Sequence, residues 1–220
     1  MSIVADEVID LHRQLVPYGY DEININLGCP SGTVVSKKRG SGILAYPDML
    51  DSFLDELYTK ADFPVSIKTR VGFNDDELWP KLIEIYSKYP ISELTVHPRV
   101  QKDFYKNTPR MDDFALAMQK INTDKTTLCY NGDITDINSF NALTDCFPDI
   151  DEIMIGRGLF ANPALIAELK GISMDKAELR ERLKNWHDEI LSGYLSIFSG
   201  EKGCHFPHEG NLGVYAWAVF

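Results

Sequence analysis

The chain has 220 residues, of which 44% are hydrophobic and 25% are charged, and this composition excludes disordered, collagen-like and coiled-coil proteins. It contains no apolar run of about 18 residues and no apolar signal core, so the sequence predicts neither a membrane span nor secretion. The four cysteines are isolated from one another, so neither a metal site nor a disulfide framework is indicated, and a reducing cytoplasm fits best. The formal net charge of −11 argues against a general nucleic-acid binder, because phosphate contacts need Lys and Arg.

Short β-type runs alternate with amphipathic helical stretches along the chain, and a helix over Ala5–Leu15 precedes the first run. Such alternation predicts an α/β protein with a parallel sheet. The predicted strands are Glu22–Leu27, Pro64–Thr69, Ser92–His97, Thr126–Asn131 and Ile150–Ile155. The predicted helices between and beside them are Pro47–Tyr58, Glu77–Lys88, Met111–Lys120 and Asn138–Cys146.

The two faces of the predicted sheet differ in character. Alternate residues form one apolar face, while the other face is polar, and its polar members gather at the strand ends. A doubly wound sheet is apolar on both faces, so this pattern fits a (β/α)8 TIM barrel better, with its site at the carboxyl-terminal mouth. Five strands are visible, and only helices follow residue 155, so the fold is either an incomplete barrel or an open five-stranded sheet.

The C-terminal part of the chain reads as helical. Ala164–Lys170 is a short predicted helix, and Ser173 is the predicted cap of a longer one that runs to about Phe198. Composition then changes, and residues 203–220 have neither helical nor strand periodicity.

A cysteine stands where the first strand ends, in the run Asn26-Leu-Gly-Cys-Pro-Ser31. A thiol at a barrel mouth can act as a nucleophile or as a proton donor, although most free cysteines are small buried residues. The following segment, Gly28–Gly42, carries three cations and no acid, which suits either an anionic ligand or a solvated loop. Cys129 and Cys146 read as packing residues.

Cations also close the next two predicted strands. Lys68-Thr-Arg70 places a lysine on the inward face, where burial is costly unless the ammonium is paired or binds an anion. His97-Pro-Arg99 closes the third strand, and the loop that follows, Val100–Arg110, interleaves cations with Phe104 and Tyr105. Aromatic residues among cations suit stacking on unpaired bases, and a plain surface loop is the alternative.

The last two strands end in Asn131-Gly-Asp133 and Gly156-Arg-Gly158. Barrel enzymes often bind a phosphate at the loops that follow their last two strands. Exposed backbone N–H groups beside Arg157 would serve that purpose.

These sites, in this order, are similar to the tRNA-dihydrouridine synthases. The stretches that carry the resemblance are NLGCPSG, SIKTRVG, TVHPR, YNGDI and MIGRG, within roughly residues 5–200. The resemblance implies an FMN-binding (β/α)8 barrel with a C-terminal helical domain. It also implies an oxidoreductase that reduces the C5–C6 double bond of uridine in tRNA, with NADPH as the reductant.

The resemblance also implies roles for individual residues. Cys29 would protonate uracil C5 while reduced FMN delivers a hydride to C6, and Asn26 would contact the uracil. Lys68 would hydrogen-bond the N1/O2 edge of the flavin, and His97 would lie beside the flavin ring. Arg70 and Arg99 are expected to bind substrate or phosphate. The residues expected to hold the ribityl-phosphate of FMN are Asn131, Gly132, Asp133, Gly156 and Arg157.

The chain departs from the family at both ends. It lacks counterparts of a strand carrying Pro-Met and of a strand carrying Gln, and by alignment it begins at the helix before the family's fourth strand. The expected organisation is therefore a partial FMN-binding barrel over residues 1–170, the start of a C-terminal helical domain over 171–202, and an atypical tail over 203–220. Unpaired sheet edges of this kind invite association with another chain or aggregation.

Three functional hypotheses remain open on the sequence alone. The first is tRNA-dihydrouridine synthesis. The second is an FMN-dependent oxidoreductase of the dihydropyrimidine or dihydroorotate dehydrogenase type, acting on a small substrate, and the third is an inactive, incomplete barrel. The uneven charge favours the first, because Gly28–Gly42 and His97–Arg110 are both basic while the acids concentrate on the predicted helices.

Overall fold

A computed structural model describes residues 2–197, and within them five strands form a single parallel sheet. All of the predicted strands are present, although their bounds differ from those predicted. The strands are β1 (Ile23–Asn26), β2 (Val65–Gly72), β3 (Glu93–Val100), β4 (Thr127–Tyr130) and β5 (Glu152–Ile153).

The strand order in the sheet is β1-β2-β3-β4-β5, so every strand lies beside the one that precedes it in the chain. A doubly wound sheet reverses its order at a switch point, whereas a (β/α) barrel adds strands in one direction. This order confirms the predicted fold class, an α/β fold of incomplete TIM-barrel type. Within the described residues, β1 and β5 are the edge strands.

The two longest strands, β2 and β3, extend further than the sequence predicts. β2 and β3 continue past Lys68 and His97, and they stay paired up to Gly72 and Val100, with a register shift after Arg70. Arg70 and Arg99 were expected at or beyond the strand ends, and both lie inside the strands instead. The reason is the mutual pairing of β2 and β3, which is a nonlocal interaction.

Helices cover the apolar face of the sheet, as the alternation of side chains predicts. Ile67 and Leu94 on the strands, and Leu54 and Phe114 on the helices, are fully buried. The helices in the described residues are α1 (Ala5–Leu15), α2 (Gly32–Val35), α3 (Pro47–Lys60), α4 (Trp79–Tyr86), α5 (Met111–Lys120), α6 (Ile137–Cys146), α7 (Arg157–Ala161), α8 (Leu165–Leu169) and α9 (Lys176–Ile197).

An aspartate precedes each of two later helices and caps it. The Asp136 carboxylate accepts a hydrogen bond from the backbone N–H of Ser139 at 2.7 Å at the start of α6. The Asp175 carboxylate accepts one from the N–H of Ala177 at 3.1 Å at the start of α9. The predicted cap at Ser173 is therefore wrong, because Asp175 stands directly before the first helical residue. The predicted end of this helix at Phe198 and the tail over 203–220 lie outside the described residues.

The chain divides into two compact units. The first contains residues 2–132 and 147–154, with the sheet and α1–α5, and the second contains residues 133–146 and 155–197, with α6–α9. In the second unit, α8 packs against α6 and α7. The domain boundaries predicted after residues 170 and 202 remain predictions. Across residues 2–197, no helix combines the length and the apolarity that crossing a membrane requires.

Candidate functional site

The loop after β1 holds Cys29 by its backbone. The Cys29 carbonyl accepts hydrogen bonds from the N–H of Ser41 at 3.1 Å and from its hydroxyl at 2.8 Å. Gly40 has a φ of +55°, and a Cβ at this position would lie 2.9 Å from the Cys29 oxygen, so the close approach needs glycine. Cys29 itself is half-buried. The loop therefore fixes the cysteine backbone and leaves the residue partly exposed.

Asn26 at the carboxyl end of β1 lies beside Lys68 in the middle of β2, and the two are register partners. Asn26 is exposed, and its side-chain oxygen accepts a hydrogen bond from the N–H of Gly28 at 3.0 Å. Lys68 is half-buried, and burial, followed by the charge of Arg70, lowers the pKa of its ammonium to about 8. Lys68 has no salt bridge within residues 2–197. A partly desolvated cation of this kind suits an anionic ligand group.

Arg70 connects the loop after β1 to the loop after β3. It is 2% exposed, and burial lowers the pKa of its guanidinium. Its Nε donates to the Gly28 carbonyl at 2.9 Å, and its Nη1 donates to the carbonyls of Val100 and Phe104, both at 3.0 Å. Arg70 thus holds in place the two loops that carry Cys29 and Phe104.

His97 is the register partner of Arg70 and lies on β3. It is buried, and Arg99 Nη1 lies 3.1 Å from its Nε2. Because a guanidinium has donors only, this contact assigns Nε2 of His97 as the acceptor and therefore as unprotonated. The Tyr105 ring stacks on His97 with centroids 6.0 Å apart, and the Arg70 guanidinium lies 5.5 Å from the Tyr105 centroid.

The loop after β3 is braced from within by Asp103, which is 7% exposed. Burial alone would raise the pKa of this carboxyl, but hydrogen bonds from Arg110 and Asn107 lower it below its usual value. The backbone N–H of Val100 adds a third hydrogen bond at 3.2 Å. From the same loop, the Gln101 amide donates to the Pro30 carbonyl at 3.2 Å, next to Cys29.

Two of the predicted phosphate-binding residues follow β4 in the first unit. The Asn131 amide donates to the Met154 carbonyl at 2.9 Å. At Gly132, an added Cβ would lie 2.0 Å from the Tyr130 hydroxyl oxygen, so this position accepts only glycine without rearrangement. The Tyr130 ring therefore packs directly against the Gly132 backbone.

The other three predicted phosphate-binding residues belong to the second unit. Arg157 Nη2 donates to the Asp133 carboxylate at 2.6 Å, and the two side chains are 57% and 40% exposed. An added Cβ at Gly156 would meet no atom within 4 Å, so there is open space beside its backbone. Within this unit, a cation and an uncovered backbone segment therefore stand next to each other in the chain.

One polar cluster has no signal in the sequence. Side-chain atoms of Glu93, Cys129 and Glu152, which come from three different strands, lie within 4.8 Å of one another. Burial, and next the charge of Glu93, raises the pKa of the Cys129 thiol to about 12, so this cysteine is a protonated packing residue, as predicted. The expectation for Cys146 is wrong, because it ends α6 and is exposed.

The sheet thus brings together Asn26, Lys68, Arg70 and His97 in adjacent register positions, with Cys29 on the next loop. A parallel sheet in barrel order, with cations and polar groups toward the carboxyl ends of its strands, defines an α/β protein of the TIM-barrel class.

The chain belongs to the dihydrouridine synthase (Dus) family, whose sequence model matches residues 7–192. This finding confirms the resemblance that the sequence motifs indicate.

Several curated proteins of the family are similar to the chain. A tRNA-dihydrouridine synthase B from Pasteurella multocida is 29% identical over 209 residues, which cover 93% of this chain and 62% of the relative. A Staphylococcus aureus protein named "Probable tRNA-dihydrouridine synthase" is 33% identical over 84% of this chain and 54% of its own length. A tRNA-dihydrouridine synthase B from Escherichia coli is 31% identical over 79% of this chain and 53% of its own length. The chain therefore spans little more than half the length of the curated relatives that it matches.

Proposed function

We propose that this protein reduces the C5–C6 double bond of uridine in tRNA, with FMN as its flavin and NADPH as the reductant. The observation that carries the proposal is the placement of Cys29. Its backbone carbonyl is held by Ser41 and closely approached by Gly40, its loop is held by Arg70, and it follows the end of β1, where Asn26 is paired with Lys68. Membership of the dihydrouridine synthase family and the names of the relatives support the same activity.

FMN fits the residues that the first unit offers. Lys68 is a half-buried cation without a salt bridge among the described residues, and its ammonium suits the negative edge of a reduced flavin. When bound, FMN would supply the hydride that uracil C6 receives. His97 would line the flavin ring. The residues proposed to hold the ribityl-phosphate remain Asn131, Gly132, Asp133, Gly156 and Arg157.

Cys29 would act as the general acid. Its thiol would donate a proton to uracil C5 as C6 receives the hydride, so the double bond gains one hydride and one proton, and solvent would then reprotonate the thiolate. Asn26 would hydrogen-bond the uracil and orient it. The proposal includes a cytoplasmic location, where a thiol stays reduced.

Arg70 and Arg99 have a more specific role in this proposal than substrate binding. Their guanidinium donors contact backbone carbonyls and His97, which supports a positioning role for both residues. In this role, Arg70 holds the Cys29 loop against the loop that follows β3.

The proposal is tested by reconstituting the 220-residue chain with FMN and measuring NADPH-dependent dihydrouridine formation on an unmodified tRNA transcript. Cys29→Ala should lose activity by about 10²–10⁴-fold and retain bound flavin, because only the proton donor is removed. Cys146→Ala is the matched control, since this thiol is exposed at the end of α6, and it should keep full activity.

Two results would contradict the proposal. Unchanged turnover in Cys29→Ala would remove the role of the thiol as proton donor. A wild-type chain that binds no flavin, or that reduces free uracil but not tRNA, would remove the assigned activity.

A further inference from the structure

Phe104 combines two features that rarely occur together. Its backbone has a φ of +52°, a conformation that favours glycine, and among the described non-glycine residues it shares a positive φ only with Lys38. Its side chain is nevertheless a large aromatic ring that is 47% exposed. A strained backbone conformation therefore presents an apolar ring to solvent.

The strained backbone is held by several independent contacts. Arg70 Nη1 donates to the Phe104 carbonyl at 3.0 Å, and the Phe104 N–H donates to the Gln101 carbonyl at 3.0 Å. The preceding residue, Asp103, is buried, and its carboxylate accepts hydrogen bonds from Arg110 and from the Val100 N–H. The ring is thus presented by a rigid support, and such strain persists only where its surroundings determine it.

The fold itself gains little from this ring. Core aromatic residues such as Phe114 are fully buried, whereas about half of the Phe104 side chain stays in water. Glycine would adopt the same φ without strain and would keep both backbone hydrogen bonds. The physical advantage of an aromatic side chain here therefore lies in contact with something outside the described residues.

The neighbours of the ring indicate the chemistry of that contact. Lys102 and Lys106, two residues away on either side, are both exposed. Next to the ring, Tyr105 stacks on His97. An exposed ring between cations matches single-stranded RNA, because every unpaired base offers a face for stacking and its phosphates attract lysines.

We propose that Phe104 stacks on an unpaired base of the RNA substrate next to the target uridine, while Lys102 and Lys106 contact the flanking phosphates. The inference rests on the proposed function in that it takes tRNA as the substrate. It assigns to Phe104 a substrate-binding role separate from the proposed proton donor Cys29 and the proposed flavin-binding Lys68.

The test compares Phe104→Gly and Phe104→Tyr with the wild-type chain, and Tyr18→Ala is the control because it removes a ring that is 78% exposed elsewhere on the first unit. The probes are an unmodified tRNA transcript and a blunt RNA duplex. Phe104→Gly should weaken tRNA binding about tenfold, as loss of one stacked base predicts, and should leave duplex binding unchanged. Its thermal midpoint should stay constant or rise. Phe104→Tyr and Tyr18→Ala should bind tRNA as the wild type does.

Three outcomes would overturn the inference. They are unchanged tRNA affinity in Phe104→Gly, equal losses for tRNA and duplex accompanied by a lower thermal midpoint, and no binding of tRNA by the wild-type chain. Dihydrouridine formation, measured in parallel, separates this inference from the proposed function. If tRNA binding depends on Phe104 but no uridine is reduced, the inference is supported and the proposed function is contradicted. If uridine is reduced and Phe104→Gly has an unchanged KM, the proposed function is supported and the inference is contradicted.

Discussion

The ends of β2 and β3 differ from the loop after β1 in what their polar groups contact. Three charged residues at the ends of β2 and β3 are buried, namely Arg70, Arg99 and Asp103. Each forms a hydrogen bond with a backbone group at the end of a strand or in the loop that follows it. In the loop after β1, Asn26 is exposed and Cys29 is half-buried. In the enclosed region, at the ends of β2 and β3, the polar groups form hydrogen bonds within the protein. In the open region, the loop after β1, the polar groups are accessible to a ligand.

Position in the sheet explains this difference. β2 and β3 are eight residues long and have neighbours on both sides, whereas β1 has four residues and a neighbour on one side only in the described chain. A polar side chain at the end of a central strand therefore finds partners in two adjacent loops. The comparison predicts that substitutions in the enclosed region mainly change stability and those in the open region mainly change function.

The largest effect is expected for Arg70→Met. Three carbonyl oxygens lose a charged donor in a buried setting, so the free energy of unfolding should fall by about 3–5 kcal/mol, as measured by denaturant unfolding followed by circular dichroism. Arg13→Met is the control, since this side chain is 73% exposed and, among residues 2–197, forms an ion pair only with Asp10, and it should change stability by less than about 0.5 kcal/mol. Similar losses in the two variants would mean that the buried contacts of Arg70 do not stabilise the enclosed region.

An intermediate effect is expected for Gly40→Ala. The added methyl group meets a positive φ and the Cys29 carbonyl, so about 1–3 kcal/mol of stability should be lost. Because two of the three atoms that the methyl group would crowd belong to Cys29, uridine reduction should fall more than stability alone explains. Gly32→Ala is the control, as its Cβ would meet no atom within 4 Å. Full activity in a folded Gly40→Ala protein would show that the backbone position of Cys29 is unimportant.

The smallest effect is expected for Lys68→Met, and it has the opposite sign. Burial lowers the pKa of Lys68 from 10.5 to about 8, so below pH 8 the folded chain bears the full cost of a buried charge. The variant should therefore be more stable at pH 7, by a shift in Tm of about 2–4 °C for a gain of about 1 kcal/mol.

The pH dependence of this gain follows from the same pKa. Between pH 8 and pH 10.5 the folded chain releases the Lys68 proton while the unfolded chain keeps it, so wild-type stability rises with pH. The advantage of methionine should accordingly shrink through this range, as thermal melts at stepped pH will show. A variant that is less stable than the wild type at pH 7 would mean that Lys68 stabilises the fold. FMN affinity should fall in the variant at every pH.

Sequence patterns predicted local structure well where periodicity alone decides it. The bounds of α1 and α5 agree with the prediction, because amphipathic spacing and helix ends are local properties. The apolar and polar faces of the sheet also follow from simple alternation. The cap of α9 was misplaced by two residues, from Ser173 to Asp175, since several polar residues near a helix start can each cap it.

The amino-acid sequence by itself determined the family, the parallel α/β class and the polar strand ends, because these depend on motifs and on short-range periodicity. Only the tertiary structure decided that Arg70 is buried and contacts two loops, that Phe104 is held at a positive φ, and that Glu93 and Glu152 lie beside Cys129. Those features depend on which strands pair and in which register, and strand pairing joins residues that are far apart in the chain.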